Sequence, residues 1–183
     1  MASTPTSHTI GLGETATELG SLLGVDGQRH AFSDFEDMAV LVLFFASNRC
    51  PTVKAYDGRL MSAQAGYAAS RVQLVAINAD DPYLHPEESY DEMVRAARDR
   101  SFTFPYLKDE GQRLARLFGA DCSFHFFVLD RRRRLRYRGR FDDSRDPARV
   151  TSNDLRNALD DLIAGRPVRL PETKAFGCAL DPA

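Results

Sequence analysis

The chain has 183 residues, 43% of them hydrophobic, enough to bury the core of one ordinary domain without disulfide or metal staples. Its 24 Lys and Arg stand against 26 Asp and Glu, a net charge of -2, so no global field draws it to nucleic acid or an anionic membrane. Three widely spaced cysteines, at 50, 122 and 178, are poor material for a secreted disulfide framework or a zinc cage and fit a reducing compartment. The opening "MASTPTSHTIGLGETATELG" has no basic n-region and no apolar h-region, and no later run approaches membrane-span length. The expectations are a cytoplasmic location, no membrane or nucleic-acid partner, and no cofactor. Oligomeric state stays open.

In chain order, residues 1–23 read as an N-terminal extension of a single domain. "AVLVLFFA" (Ala39 to Ala46) is a continuous apolar run, the pattern of a parallel strand buried on both faces. From Pro51, the positions Val53, Tyr56, Leu60, Ala63 and Tyr67 recur at intervals of three and four, which predicts one helix to about Ala69. "VQLVAIN" (Val72 to Asn78) is a second buried strand, completing a right-handed strand, helix, strand unit. Ser89 and Glu92 form a capping box that opens a helix to about Arg100, and Asp109 with Gln112 repeats the signal before a helix ended by Gly119. His125 to Asp130 and Arg134 to Phe141 read as an antiparallel hairpin joined by an arginine-rich turn. Thr151 and Asp154 open a last helix, which Gly165 and Pro167 close, and a tail of about 166–183 follows.

That order is the core order of a thioredoxin fold. The fold class is α/β, with a central mixed sheet, a C-terminal antiparallel hairpin and helices on both faces. Four stretches carry a resemblance: "SNRCPTVK" after the first central strand, "GADCSFHFF" before the hairpin, "YRGRFDDSR" within and after its second strand, and "FGC" near the end. They resemble the redoxin branch of the thioredoxin-like superfamily, of the alkyl hydroperoxide reductase and thiol-specific antioxidant type, and within it bacterial proteins with a C-x-x-C-P-x-V-K motif. Two departures matter. Ser47 stands where that motif has its first cysteine, so no dithiol couple can form there. Phe124 stands where thioredoxin-like proteins have a cis-proline, and a non-proline cis bond costs roughly 3–4 kcal/mol, so the Ser123–Phe124 bond should be trans.

Cys50 is the candidate catalytic residue. Pro51 belongs in the first turn of a helix, which puts Cys50 at or beside the N-terminus. Free N–H groups, the helix dipole and the cations Arg49 and Lys54 all favour a thiolate there. "SNRCPT" is also similar to the T/S-x-x-C-P-T core of peroxiredoxins, which implies a cysteine that attacks peroxide and a hydroxyl, Ser47, that orients it. The other reading of Cys50 is a small hydrophobe in a degenerate site. The resemblance places Cys122 near Cys50, and either Cys122 or Cys178 can resolve a sulfenic acid or remain a free thiol. Arg138 is expected to assist the thiolate, and Arg49, Pro51, Thr52, Ser123 and Phe124 to line a substrate groove.

The expected partners are a small peroxide or disulfide substrate and an external thiol reductant. A binding module that has lost its redox chemistry, with Phe124 filling the old groove, is the competing class. Arg134, Arg136, Arg138 and Arg140 alternate with Leu135, Tyr137, Gly139 and Phe141, so period two puts the arginines on one face of a charge-guarded edge strand. His85, Glu87 and Glu88 sit in a proline-rich loop without metal-ligand spacing and read as solvated, and no metal site is expected. His125 reads as a core or hydrogen-bonded histidine near the thiols. "FDDSRD" reads as a turn with local ion pairs.

Overall fold

Val40 to Phe45 form the central strand because every side chain of "VLVLFF" is apolar and both faces are covered. Val40, Val42 and Phe44 enter one core cluster, Leu41, Leu43 and Phe45 the other. A computed structural model of the chain describes residues 8–17 and 19–181. The reading of residues 1–7 as extension and of 182–183 as tail lies outside them.

The strands are β1 (Ser21–Gly24), β2 (Arg29–Ala31), β3 (Val40–Phe45), β4 (Val72–Asn78), β5 (Tyr106–Lys108), β6 (Phe126–Leu129) and β7 (Leu135–Gly139). The helices are α1 (Pro51–Ala55), α2 (Asp57–Tyr67), α3 (Tyr90–Asp99), α4 (Arg113–Phe118) and α5 (Asp154–Ile163). Among the described residues one seven-stranded sheet runs β2-β1-β5-β4-β3-β6-β7. Strand β3 pairs in parallel with β4, and β6 and β7 form the expected antiparallel hairpin beside it. Helices α1, α2, α3 and α5 pack on one face, and α4 with the N-terminal segment on the other.

Several local expectations are corrected. The helix predicted from Pro51 to about Ala69 breaks at Tyr56 (φ -103, ψ -1). There the Tyr56 hydroxyl donates to buried Asp142 at 2.5 Å, and the Arg59 guanidinium lies 3.5 Å over the same ring while it too reaches Asp142. Asp142 of the "FDDSRD" stretch is therefore a long-range anchor for the α1–α2 junction as well as a turn residue, since it also accepts from Ser144 N at 3.3 Å. Ser89 is the N-cap of α3, yet its side chain makes no capping bond, and Glu92 pairs with Arg95 instead. Asn153, not Thr151, is the N-cap of α5, and Thr151 binds Asp143. Asp109 does serve a helix start: its carboxylate accepts from the N–H groups of Leu114 and Ala115, both at 2.9 Å, across a short 3-10 turn.

The arginines of β7 do not share a face. A bulge opposite Val128 and Leu129 sends Leu135 into one core cluster and Tyr137 into the other, which breaks the period of two. Each arginine has a carboxylate: Arg134 and Arg136 share Asp130, Arg138 takes Glu172, and Arg140 takes Asp154. Strands β1, β2 and β5 were not foreseen. Residues 21–23, expected in an extension, form part of β1, paired with β2 and, through Leu23 and Gly24, with β5.

The turn after α5 is closed by Asp161, whose carboxylate binds Arg166 and both the N–H and the side chain of Arg169. These bonds, Arg169 first, hold its carboxyl down at about 2. A depressed carboxyl stabilises the fold above its unfolded value of about 4 and loses that contribution as the pH falls toward about 2. Asp161→Asn should therefore flatten the loss of urea stability over that window, leaving stability at neutral pH lower and less acid-sensitive. An unchanged acid profile would assign the loss to other carboxylates.

Candidate active site

Strand β3 delivers the chain to the C-terminal edge of the sheet, where open α/β sheets place their ligands. The loop 46–49 follows, and Cys50 is the N-cap of α1 in extended conformation (φ -69, ψ 116), with Pro51 at the first helical position as its missing N–H predicts. Cys50 is completely buried.

A carboxylate missed in the sequence shapes that loop. Glu88, read there as solvated, is completely buried. It accepts four hydrogen bonds, from Ser47 Oγ at 2.6 Å, Asn48 N at 2.8 Å, Arg49 N at 2.9 Å and Asn78 Nδ2 at 2.7 Å. Lys108 lies within the same network, donating to Asn78 Oδ1 and to the carbonyls of Asp80 and Glu88, and burial pushes its pKa down. Asp80, beside Ser47, has its pKa raised by burial, with Glu88 and Asp181 adding repulsion. No spacing rule links Glu88 to Ser47, 41 residues away; the contact exists only once the end of β3 and the turn before α3 are brought together.

The tail closes the site from the other side. Arg138 N donates to Pro171 O and Thr173 N to Arg138 O, so the segment runs along the open edge of β7. It then crosses the loop before β6: Ser123 N donates to Cys178 O at 2.7 Å, Cys122 bridges to Ala179, and Leu180 N donates to Asp121 O. Asp181 is the latch, accepting from Arg49 at 3.2 Å and from the N–H of Asp81 at 2.9 Å, with His85 at 3.0 Å. The close crossing explains the glycine of the "FGC" stretch, because a Cβ on Gly177 would lie 1.8 Å from the Ser123 carbonyl oxygen.

The three cysteines converge here as free thiols. Cys178 packs against the core cluster that contains Cys50, and burial, followed by the neighbouring Cys50, pushes its thiol up to about 11. Cys122 feels both other sulfurs, and burial, followed by Asp121, pushes it up to about 12. His125, packed on the Phe127 ring, has its pKa lowered by burial and lies 3.3 Å from Asp121. Asp121, Cys122 and His125 are one group whose donor atoms could hold a metal ion, a grouping that neither the cysteine spacing nor the His85 loop signals in the sequence.

Other expectations change in detail. The Ser47 hydroxyl is committed to Glu88 and buried, so it braces the loop in place of orienting a substrate. Arg138 is spent on Glu172 of the tail, not on the thiol. Arg49 is half-buried but held by Asp181 and Glu88. Pro51 and Thr52 form the outer rim, Pro51 exposed and Thr52 half-buried, and Lys54 is exposed. Ser123 and Phe124 line no groove, for both are completely buried. Phe124, in a trans peptide and with φ 74, stacks among Tyr56, Phe126 and Phe141 in the core.

The sheet order and the thiol at the β3–α1 junction define a thioredoxin-like fold. A peroxidoxin of Mycobacterium tuberculosis matches it with a TM-score of 0.58 at 20% identity, over 85% of this chain and 95% of that one. The chain belongs to the AhpC/TSA family, whose model matches residues 12–138. It is similar, at 35% identity, to a hypothetical protein of Sinorhizobium meliloti, with a TM-score of 0.85 over 94% of this chain and 95% of that one. It is also 35% identical to an uncharacterized conserved protein of Geobacillus kaustophilus, with a TM-score of 0.88 over 96% of this chain and 94% of that one. A search of the curated proteins found no match. No helix among the described residues is long and apolar enough to cross a membrane.

Proposed function

We propose that the protein is a thiol-dependent oxidoreductase of the cytoplasm that reduces a small peroxide through Cys50 and resolves the product with Cys178. The observation that carries this reading is the tail crossing beside the site, which packs Cys178 against the core cluster that holds Cys50 at the start of α1. The Cys50 sulfur attacks one peroxide oxygen, forming S–O and breaking O–O, and the leaving oxygen departs as water or an alcohol after taking up a proton. The Cys178 sulfur then attacks the sulfenic sulfur, giving up its proton, forming S–S and releasing water. An external thiol supplies the two electrons that reopen the disulfide.

With Ser47 in the first motif position the resolving partner has to come from elsewhere in the chain, and Cys178 packs against the cluster that holds Cys50. The family supports thiol redox chemistry in general. A redox-inactive binding module finds no support in Phe124, which is packed in the core.

The test is to treat the reduced protein with equimolar hydrogen peroxide and map the peptides by mass spectrometry. A Cys50–Cys178 disulfide is the expected product; oxidation spread evenly over the three cysteines would overturn the proposal. Because Cys50 is completely buried under the tail, reaction requires the tail to lift. Gly177→Ala, which forces a Cβ against the Ser123 carbonyl, should displace the tail and speed alkylation of Cys50 by iodoacetamide by about tenfold or more, if opening limits access. An unchanged rate would mean that Cys50 is reached by another route.

A further inference from the structure

We propose that Asp121, Cys122 and His125 form a site for a divalent, borderline-soft metal ion of the zinc class. The loop between α4 and β6 brings a carboxylate oxygen, a thiol sulfur and a ring nitrogen within 4.8 Å of one another. A tetrahedral zinc centre, with bonds of about 2.0–2.3 Å, needs its donor atoms roughly 3.3–3.8 Å apart. The Asp121 Oδ1 to His125 Nδ1 separation of 3.3 Å already meets that requirement.

Two further observations point to a ligand. Among the described residues, buried His125 Nδ1 makes no aligned hydrogen bond, and its near polar neighbour is the Asp121 carboxylate at 3.3 Å. A buried ring nitrogen without an aligned hydrogen bond is costly, and metal coordination satisfies it. The loop is also held before any ion arrives. Phe124 N donates to Phe45 O, Phe45 N to His125 O, Ser123 N to Cys178 O and Leu180 N to Asp121 O, and the imidazole lies against the Phe127 ring at 4.4 Å.

The charges close as well. One thiolate and one carboxylate cancel a divalent charge, so the complex is neutral in a half-buried place. Binding forms an S–metal bond and releases one proton from Cys122. Three protein donors leave a fourth position for water, the arrangement of reactive and not of purely structural zinc sites.

This assignment stands apart from the peroxide reading, because it uses neither Cys50 nor Cys178 and is read by metal binding alone. The reduced, metal-free protein would be titrated with cobalt(II), and zinc affinity measured by competition with a chelating dye. A thiolate-to-cobalt charge-transfer band should saturate at an equimolar ratio and vanish in Cys122→Ser. His125→Gln and Asp121→Asn should each weaken zinc binding by about tenfold or more, since even outer-shell partners are worth that much. Cys50→Ser and Cys178→Ser should keep the band. Absence of a band in excess cobalt, its survival in Cys122→Ser, its loss in Cys50→Ser or Cys178→Ser, or unchanged zinc affinity in His125→Gln would overturn the assignment.

Discussion

Cys50→Ser will abolish thiol-coupled peroxide turnover, a loss of at least about a thousandfold, because it removes the nucleophile and with it the whole covalent route. The fold should survive, since serine is nearly isosteric and the surrounding shell of Ala46, Val53 and Tyr56 stays in place. Cys178→Ser should behave differently: the first oxidation still occurs, but with no partner in reach the sulfenic acid persists and a second peroxide carries it to sulfinic acid. Cys122→Ser should leave turnover near the native level. Peroxide consumption together with the mass of the Cys50 peptide distinguishes these outcomes. Native turnover in Cys178→Ser, without a trapped sulfenic acid, would remove the tail thiol from the mechanism, and turnover in Cys50→Ser would remove the proposal itself.

Glu88→Ala should produce the largest change in stability, about 3–5 kcal/mol, the range for breaking a buried charge network by removing one partner. Four donors lose their acceptor, two of them backbone N–H groups of the loop that leads to Cys50. Buried donors without partners carry the full desolvation penalty, and Lys108 also loses its nearby counter-charge. Glu88→Gln should fall between, because the amide keeps one acceptor oxygen but presents an NH2 to donors. Urea unfolding, with unchanged m values as the check on two-state behaviour, measures both. A Glu88→Ala loss under about 1 kcal/mol would mean that water enters and satisfies the loop.

Residue types near one another in sequence were read well where their effect is local. The Pro51 ring, which has no N–H to offer, marks the start of α1, and Gly119 (φ 67) ends α4 because only a residue free of the Cβ clash takes that conformation easily. The apolar runs of β3 and β4 are legible because both faces of a central strand must be covered, with Gln73 near the start of β4 the one polar interruption before its terminal Asn78. The short strands β2 and β5, three residues each, carry no usable period and exist because a neighbour pairs with them. Capping signals were ambiguous for the same reason that Ser89 failed as a side-chain cap. Glu92 pairs with Arg95 instead of reaching back to the cap, and local sequence does not rank the two.

By itself, then, the sequence determined the α/β class, the order of the long elements, the hairpin and the place of Cys50 before a helix, all consequences of side-chain period and of backbone limits at proline and glycine. Only the tertiary structure decided which distant groups meet. Glu88 turned from a solvated loop acid into the brace of residues 47–49, Phe124 from groove to core, and Arg138 from thiol to Glu172. The tail, featureless as a string, became the strap that packs Cys178 against the cluster holding Cys50. Hydrogen bonds and thiol contacts act over a few ångströms, and sequence separations of 41 and 34 residues, as for Ser47 with Glu88 and Arg138 with Glu172, hold no information about such distances until the sheet has folded.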